Sequence, residues 1–273
     1  MKIGIVGMGF VGSATKYGLE RGHEIIGYDK YKQGYNTIEE VAKCEVIFIC
    51  VPTPMEKSGK ICLDAIEESI DSIYKIAKEE TIIVIKSTAV SGTTNSFVDK
   101  YPTFNFSFNP EFLTQNNANE DFINTDRIII GVNKDEVFQK LKQVYEEAKF
   151  TCPIIKTDIK SAEFLKYVSN TFLATKVIFA NEIYKICEKL NINYDEVIKN
   201  LLLDKRIGKS HWQVPGPDGD FGMGSKCFPK DLNALIYLAK ENGFSPRLLE
   251  EVWRRNLDFR TKIDWLDQIK EDK

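Results

Sequence analysis

Histidine is scarce in this chain: His23 and His211 are the only two in 273 residues, and the six cysteines contain no Cys-x-x-Cys pair. These shortages exclude the usual zinc-ligand spacings, and no metal site is expected. An excess of positive charge is missing too. The 37 Lys and Arg stand against 40 Asp and Glu, for a net charge of −3, so bulk charge does not draw the chain to nucleic acid. No apolar run approaches the roughly 20 residues of a membrane span, and no cationic leader feeds one. Cys44, Cys50, Cys62, Cys152, Cys187 and Cys227 show no repeated spacing and several lie in apolar segments, as reduced thiols of a cytoplasmic protein do. Neither internal repeats nor low-complexity tracts are present.

With 43% hydrophobic and 28% charged residues, the chain has the composition of an ordinary globular protein, and its length suits two domains. Strand-like and helix-like segments alternate through the first half, the pattern of an α/β domain with a parallel sheet and crossover helices. Strands are predicted at 2–6, 23–28, 45–50, 81–85, 105–108 and 127–131, and helices at 10–21, 63–78 and 92–100. From Asp158, a candidate N-cap, the chain runs to about Leu190 without Gly or Pro. A helix of that length spans about 48 Å and could serve as a spine or a dimer contact. Further helices are predicted at 194–203, 229–242 and 246–268. The expected division is an N-terminal Rossmann-like, doubly wound domain over 1–157, followed by an all-helical central domain over 158–273. The Gly- and Pro-rich stretch 204–226 is a long connection, and loops of such length commonly carry function.

The segment Gly7-Met8-Gly9-Phe10-Val11-Gly12 follows the first strand directly and opens a helix. In that setting the first glycine makes a tight turn, the second lets backbone approach a pyrophosphate, and the third lets helix and strand pack closely. The helix N-terminus then faces the phosphates. Asp29 closes the second strand, where a carboxylate accepts hydrogen bonds from ribose hydroxyls and repels a 2′-phosphate. NAD is therefore expected rather than NADP, an inference that Lys30 and Lys32 weaken slightly. One-step 2-hydroxy-acid dehydrogenases commonly use a histidine as acid and base. Here His23 lies beside the second strand, and His211, in the long loop, reads as a solvated residue or as one that touches substrate.

A second constellation lies in Gly222-Met223-Gly224-Ser225-Lys226-Cys227-Phe228-Pro229-Lys230-Asp231. It sets one cysteine in a polar loop where a helix begins, between Lys226 and Lys230. A helix N-terminus and neighbouring cations favour the thiolate. A buried cysteine can instead act as a small hydrophobe, but this loop offers little apolar surrounding. Lys166 and Asn170 stand four apart on the long helix, about 40° from one another around its axis, so they project from one face. Alone they read as a solvated face. Taken with Cys227 and Asp231 they make a site for aldehyde and thioester chemistry, a nucleophile with oxyanion donors.

In this order the motifs resemble the UDP-glucose/GDP-mannose dehydrogenase family. The resemblance rests on the glycine fingerprint, Val51-Pro52-Thr53-Pro54, Ser87-Thr88, Asn109-Pro110-Glu111-Phe112-Leu113, Lys166 with Asn170, Arg206-Ile207-Gly208, and Cys227-Phe228-Pro229-Lys230-Asp231. It implies two NAD-dependent oxidations that carry a sugar C6 alcohol to a carboxylate. Cys227 would add to the aldehyde and pass through a thiohemiacetal and a thioester. Lys166 and Asn170 would stabilise the oxyanion, Asp231 would orient water or the lysine network, and Glu111 with Thr88 would assist proton transfer. The resemblance implies NAD contacts at Gly7, Gly9, Phe10, Val11, Gly12, Asp29, Thr53, Thr88, Gln115 and Lys230. It implies substrate contacts at Glu111, Phe112, Leu113, Lys166, Asn170, Arg206 and Gly224. Arg206 would reach the substrate of a partner subunit, which implies a homodimer built on the long helix.

Three departures stand out. Gln115 occupies a position where the family usually carries glutamate, and Met223 and Ser225 stand where an aromatic and a glycine are usual. The sequence stops at Lys273, where similar enzymes continue into a third domain that helps hold the substrate nucleotide. The implied substrate is UDP-glucose. The alternatives are a UDP-N-acetyl-hexosamine, GDP-mannose, a sugar phosphate, an oxidation ending after one hydride, or a non-catalytic NAD-binding dimeric subunit.

Overall fold

The computed structural model describes residues 1–114 and 117–272, and the chain divides into two compact units. The first comprises Met1–Thr53 and Cys62–Lys166, and the second Pro54–Ile61 and Tyr167–Lys273. In the first unit the elements run β1 (Lys2–Val6), α1 (Phe10–Leu19), β2 (Glu24–Tyr28), α2 (Ile38–Val41) and β3 (Val46–Ile49). The chain then leaves through β4 (Met55–Glu56). It returns with α3 (Asp64–Tyr74), β5 (Ile82–Ile85), α4 (Thr93–Lys100), β6 (Asn105–Phe108), α5 (Ala118–Ile123), β7 (Ile128–Val132), α6 (Asp135–Glu147) and β8 (Ile154–Thr157).

Seven of these strands form one sheet in the order β2-β1-β3-β5-β6-β7-β8. All neighbours are parallel except β6 and β7, whose Ser107 and Phe108 face Val132 and Gly131 in antiparallel register. The strand order reverses between β1 and β3, and in such sheets ligands bind beyond the strand C-termini at the reversal. Alternate residues feed two cores. Ile3, Ile5, Val46, Phe48, Val84 and Ile130 face α1 and α6, while Val6, Ile47, Ile49, Ile83 and Ile85 face α3 and α4. Helix α3 shows why it forms where it does. Ile66, Ile70 and Ile73 recur at helical spacing and are fully buried, each stabilising by roughly 2–3 kcal/mol.

Predicted strands agree with observed ones within a residue or two, but α6 and β8 lie where no element is predicted. The expected helix over 246–268 is also shorter. Helix α10 (Arg247–Phe259) ends because Arg260 is extended, and its guanidinium turns to Asp218, Asp220 and Asp264. A 3₁₀ turn and the short strand β9 (Ile269–Lys270) follow.

Helix α7 (Ile159–Leu190) opens on the predicted cap, with Ser161 N–H donating to Asp158 Oδ1 at 2.9 Å. The second unit adds α8 (Tyr194–Leu201), α9 (Phe228–Glu241) and α10. Its core joins Ala174 and Ile178 of α7 to Met223, Leu232, Ile236 and Val252. The excursion Pro54–Ile61 belongs here, because β4 pairs with β9 in parallel through Met55 with Ile269 and Glu56 with Lys270. Among the described residues, no helix is long and apolar enough to cross a membrane.

Within the first unit, Glu163 on α7 is fully buried, and its two oxygens accept from Gly92 N–H at 2.6 Å and Thr94 N–H at 2.7 Å. Burial nevertheless outweighs these donors and pushes its carboxyl up to about 7. The folded chain therefore holds an extra proton between an ordinary glutamate's value and about pH 7. The stabilisation that this proton brings is complete at acid pH and lost as pH rises through 7. In denaturant titrations, wild type relative to Glu163→Gln should lose on the order of 3 kcal/mol between pH 4.5 and 8. Identical pH profiles for the two proteins would show that Glu163 does not titrate in this range.

Candidate active site

The glycine loop has the shape that its sequence suggests. Gly7 has φ +90°, and a Cβ there would lie 2.7 Å from Cys50 O, so only glycine passes this turn. At Gly12 a Cβ would meet Gly7 O at 1.9 Å, which is the close approach of α1 to β1. At Gly9, by contrast, a Cβ would meet nothing within 4 Å, and this residue is the N-cap of α1. Backbone N–H groups at a helix start thus border open space, the cradle that a pyrophosphate requires. Asp29 stands immediately after β2 and braces the loop: Oδ2 accepts from Met8 N–H at 2.8 Å, and Oδ1 accepts from Tyr31 and Lys32 N–H. Lys32 Nζ donates to Met8 O at 2.6 Å. Phe10 is exposed beside the loop, and Val11 packs on the core.

Two further loops leave the same edge of the sheet. Ser87 Oγ donates to Val51 O at 2.7 Å, tying the loop after β5, with Thr88, to the loop after β3, with the buried Thr53. After β6, Glu111 and Lys166 form an ion pair of 2.8 Å with side-chain exposures of only 7% and 5%. Lys166 Nζ also donates to Glu111 O at 2.6 Å, Glu111 Oε2 accepts from Leu113 N–H at 2.8 Å, and the lysine lies over the Phe112 ring. One polar cluster is not anticipated by the motifs. Lys86 Nζ and Tyr145 Oη both donate to Asn109 Oδ1, and burial pushes Lys86 down to about 8. Its signal in the sequence is a lysine directly after the all-apolar strand β5. Gln115 lies outside the described residues.

In the second unit, Cys227 is the N-cap residue of α9 and is half-buried. Pro229 sits inside the first turn, where its missing N–H costs nothing. Asp231 is one turn further on, with its N–H donating to Cys227 O at 2.8 Å. Its side chain is buried and takes Asn170 Nδ2 on one oxygen and Lys230 Nζ on the other, both at 2.5 Å. Lys226 is exposed. Asn170 and Lys166 lie one turn apart on α7. Ser225, where a glycine is usual, has φ +63°, and Met223 is buried in the core. Gly224 packs on Arg260, whose Nη2 would stand 2.3 Å from a Cβ.

Arg206 is 87% exposed and pairs with Asp204 through both carboxylate oxygens. His211 departs from the expectation of a solvated residue. It is half-buried, its ring lies 5.5 Å from that of Phe228, its Nδ1 has no hydrogen-bond partner among the described residues, and burial lowers its pKa.

The first unit thus holds a glycine turn with an adjacent carboxylate and a buried lysine–glutamate pair, and the second unit holds a cysteine heading a helix whose first turn carries an amide-bonded aspartate. A model of the UDP-glucose/GDP-mannose dehydrogenase family's NAD-binding domain matches residues 32–149, and one of its central domain matches residues 160–258. UDP-glucose 6-dehydrogenase of Rickettsia bellii is 40% identical over 232 residues, covering 83% of this chain and 52% of that protein. The Bacillus subtilis UDP-glucose 6-dehydrogenase YwqF is 32% identical, covering 94% and 66%. The structure of a UDP-glucose dehydrogenase from Pyrobaculum islandicum superposes with a TM-score of 0.85 at 28% identity, covering 94% and 68%. The chain spans about half the length of the Rickettsia relatives that it matches.

Asp29 braces Met8 N–H beside the glycine loop, and two substitutions separate that hydrogen bond from its charge. Asp29→Asn keeps an acceptor for Met8 N–H but loses the charge, and Asp29→Ala loses both. Fluorescence titration should find NAD binding weakened about tenfold or more in Asp29→Ala and less in Asp29→Asn. Undiminished affinity in both would remove Asp29 from the cofactor site.

Proposed function

This chain belongs to the UDP-glucose/GDP-mannose dehydrogenase family, and we propose that it oxidises the C6 alcohol of a nucleotide sugar, UDP-glucose, to the carboxylate, using NAD twice. The observation that carries this reading is Cys227 at the N-terminus of α9 with Asp231, hydrogen-bonded to Asn170, one turn inside the helix. A helix N-terminus stabilises a thiolate, and a thiolate is the group that retains an aldehyde between two oxidations. Gly7, Gly9, Phe10, Val11 and Gly12 with Asp29 would hold the pyrophosphate and ribose of NAD, with Thr53, Thr88, Gln115 and Lys230 as further contacts. When bound, NAD supplies the hydride acceptor for each oxidation.

The protein's own residues do the rest. The Cys227 sulfur adds to the aldehyde carbon, and the resulting oxyanion takes hydrogen bonds from Lys166 and Asn170. After the second oxidation, water attacks the thioester carbonyl, the carbon–sulfur bond breaks, and the thiolate leaves as the carboxylate forms. Asp231 orients that water or the lysine beside it, and Glu111 with Thr88 moves protons. Buried carboxylates and lysines suit this work because low dielectric strengthens each fixed charge. The backbone from Pro110 to Leu113 and Gly224 would line the sugar.

Helix α7 also supports a homodimer. Val168, Phe172, Phe179, Ile186 and Leu190 recur on it at helical spacing and are all exposed, with Phe172 at 67%. A solvent-facing apolar stripe of this kind marks a contact surface. Arg206, exposed and paired with Asp204, would reach a partner's substrate.

Limiting UDP-glucose with excess NAD should yield two NADH per sugar, and Cys227→Ser should stop the second oxidation while leaving NAD affinity intact. One NADH per sugar from wild type would confine the chain to an alcohol-to-aldehyde step. No NADH would redirect the search to UDP-N-acetyl-hexosamines and GDP-mannose. Arg206→Ala should weaken substrate binding severalfold more than NAD binding, as read by separate titrations of the two ligands. Equal weakening of both would sink the trans-subunit role.

A further inference from the structure

The loop from Gly222 to Ser225 delivers Cys227 to the helix end, yet it has no secondary structure of its own. Its backbone is held instead by side chains from three separate parts of the second unit. Asn181 on α7 accepts from Gly222 N–H at 3.0 Å. Asn256 on α10 grips Met223 from both sides, Oδ1 accepting from its N–H at 2.7 Å and Nδ2 donating to its carbonyl at 3.1 Å. Asp264 accepts from Ser225 N–H at 2.9 Å. Three of these four irregular backbone residues are thereby tied to fixed points, which is how a loop acquires the rigidity of a strand.

Arg260 forms the floor of this arrangement. Its side chain is 1% exposed, and it is surrounded by Asp218 at 2.5 Å, Asp264 at 3.3 Å and Asp220 at 3.5 Å. Asp220 in turn accepts from the N–H groups of Phe221, Thr261 and Lys262. The guanidinium lies directly against Gly224, so that no side chain fits between them. At Gly222, with φ +69°, a Cβ would strike Asn256 Oδ1 at 2.5 Å. Both glycines are needed because the loop is pressed onto the two residues beneath it. The chain has only Lys226, exposed, between the anchored Ser225 and Cys227, so the position of the sulfur follows the anchor.

We propose that Asn256 and Arg260 are positioning residues for Cys227, fixing the 222–225 backbone so that the sulfur stays at the N-terminus of α9. Neither residue belongs to the motifs that carry the family resemblance, and neither is assigned a part in binding or chemistry. The inference rests on the reading of Cys227 as nucleophile for its significance, while its geometry can be tested separately.

The test compares wild type with Asn256→Ala and Arg260→Lys in the whole chain, using two readouts. Hydrogen exchange followed by mass spectrometry should find peptides covering 222–227 exchanging at least tenfold faster in both variants, with peptides of the first unit unchanged. Alkylation of Cys227 by iodoacetamide, quantified on its own peptide, should slow about five- to tenfold at pH 7, with the midpoint of its pH profile displaced upward. Wild-type behaviour in both readouts from a folded Asn256→Ala overturns the proposal. Uniform acceleration of exchange across every peptide with an unmoved alkylation midpoint overturns it as well, because that is the mark of general destabilisation. If Asn256→Ala does not fold, Arg260→Lys carries the same two readouts, since it keeps the buried charge and loses only the fork. Should wild-type Cys227 alkylate no faster than glutathione, the nucleophile reading fails, and exchange at 222–227 decides the positioning claim by itself.

Discussion

The ion pair between Glu111 and Lys166 sets the terms for the first unit's functional edge. Two charges removed from water each carry a desolvation cost of several kcal/mol, which only close pairing and further hydrogen bonds offset. Both conditions are met: the charges are 2.8 Å apart, Lys166 also holds the Glu111 carbonyl, and Glu111 also holds Leu113 N–H. Removing either partner would strand the other in a low-dielectric setting, at about 3–5 kcal/mol. The pair therefore locks the loop after β6 onto the start of α7 and leaves both groups oriented rather than solvated. Lys86 follows the same logic without a carboxylate. It bonds to Asn109, and its charge is destabilised by burial instead of being neutralised by an anion.

The second unit meets an equivalent demand around Asp231. A buried carboxylate at a helix N-terminus is favoured by the dipole, and here it also takes an amide and an ammonium group. Asn170 is thereby fixed with one Nδ2 hydrogen on Asp231, leaving the second free to donate to an oxyanion. Cys227, Asp231 and Asn170 are connected through the backbone of one helical turn and one side-chain hydrogen bond. Such short connections leave little freedom in where these three side chains stand relative to one another.

Much of this was legible from local sequence. A strand, three glycines and a helix in succession admit few arrangements, so the turn at Gly7, the start of α1 and the place of Asp29 after β2 could be read directly. A proline two residues past Cys227 similarly announced the helix start. What escaped was non-local. The antiparallel β6–β7 pair depends on which strand neighbours which, and no periodicity records that. Helix α10 stops at Phe259 because Arg260 is claimed by carboxylates about 40 residues earlier, Asp218 and Asp220. His211 read as a solvated loop residue because its packing partner, Phe228, lies in another segment. No composition shift marks Pro54–Ile61 as part of the second unit. Its assignment rests on pairing with residues at the far end of the described chain.

That excursion has a bearing on how the protein is made. On a ribosome, Met55 and Glu56 emerge about 210 residues before their strand partners Ile269 and Lys270. The first unit can assemble around its sheet while this short segment waits unpaired, and the second unit closes only once Ile269 and Lys270 have been made. Long-range pairings of this sort slow folding, since loop closure must precede any gain from the contact. A gene fragment cut at the start of α7 would encode all the long helices of the second unit and still lack one strand of its small sheet.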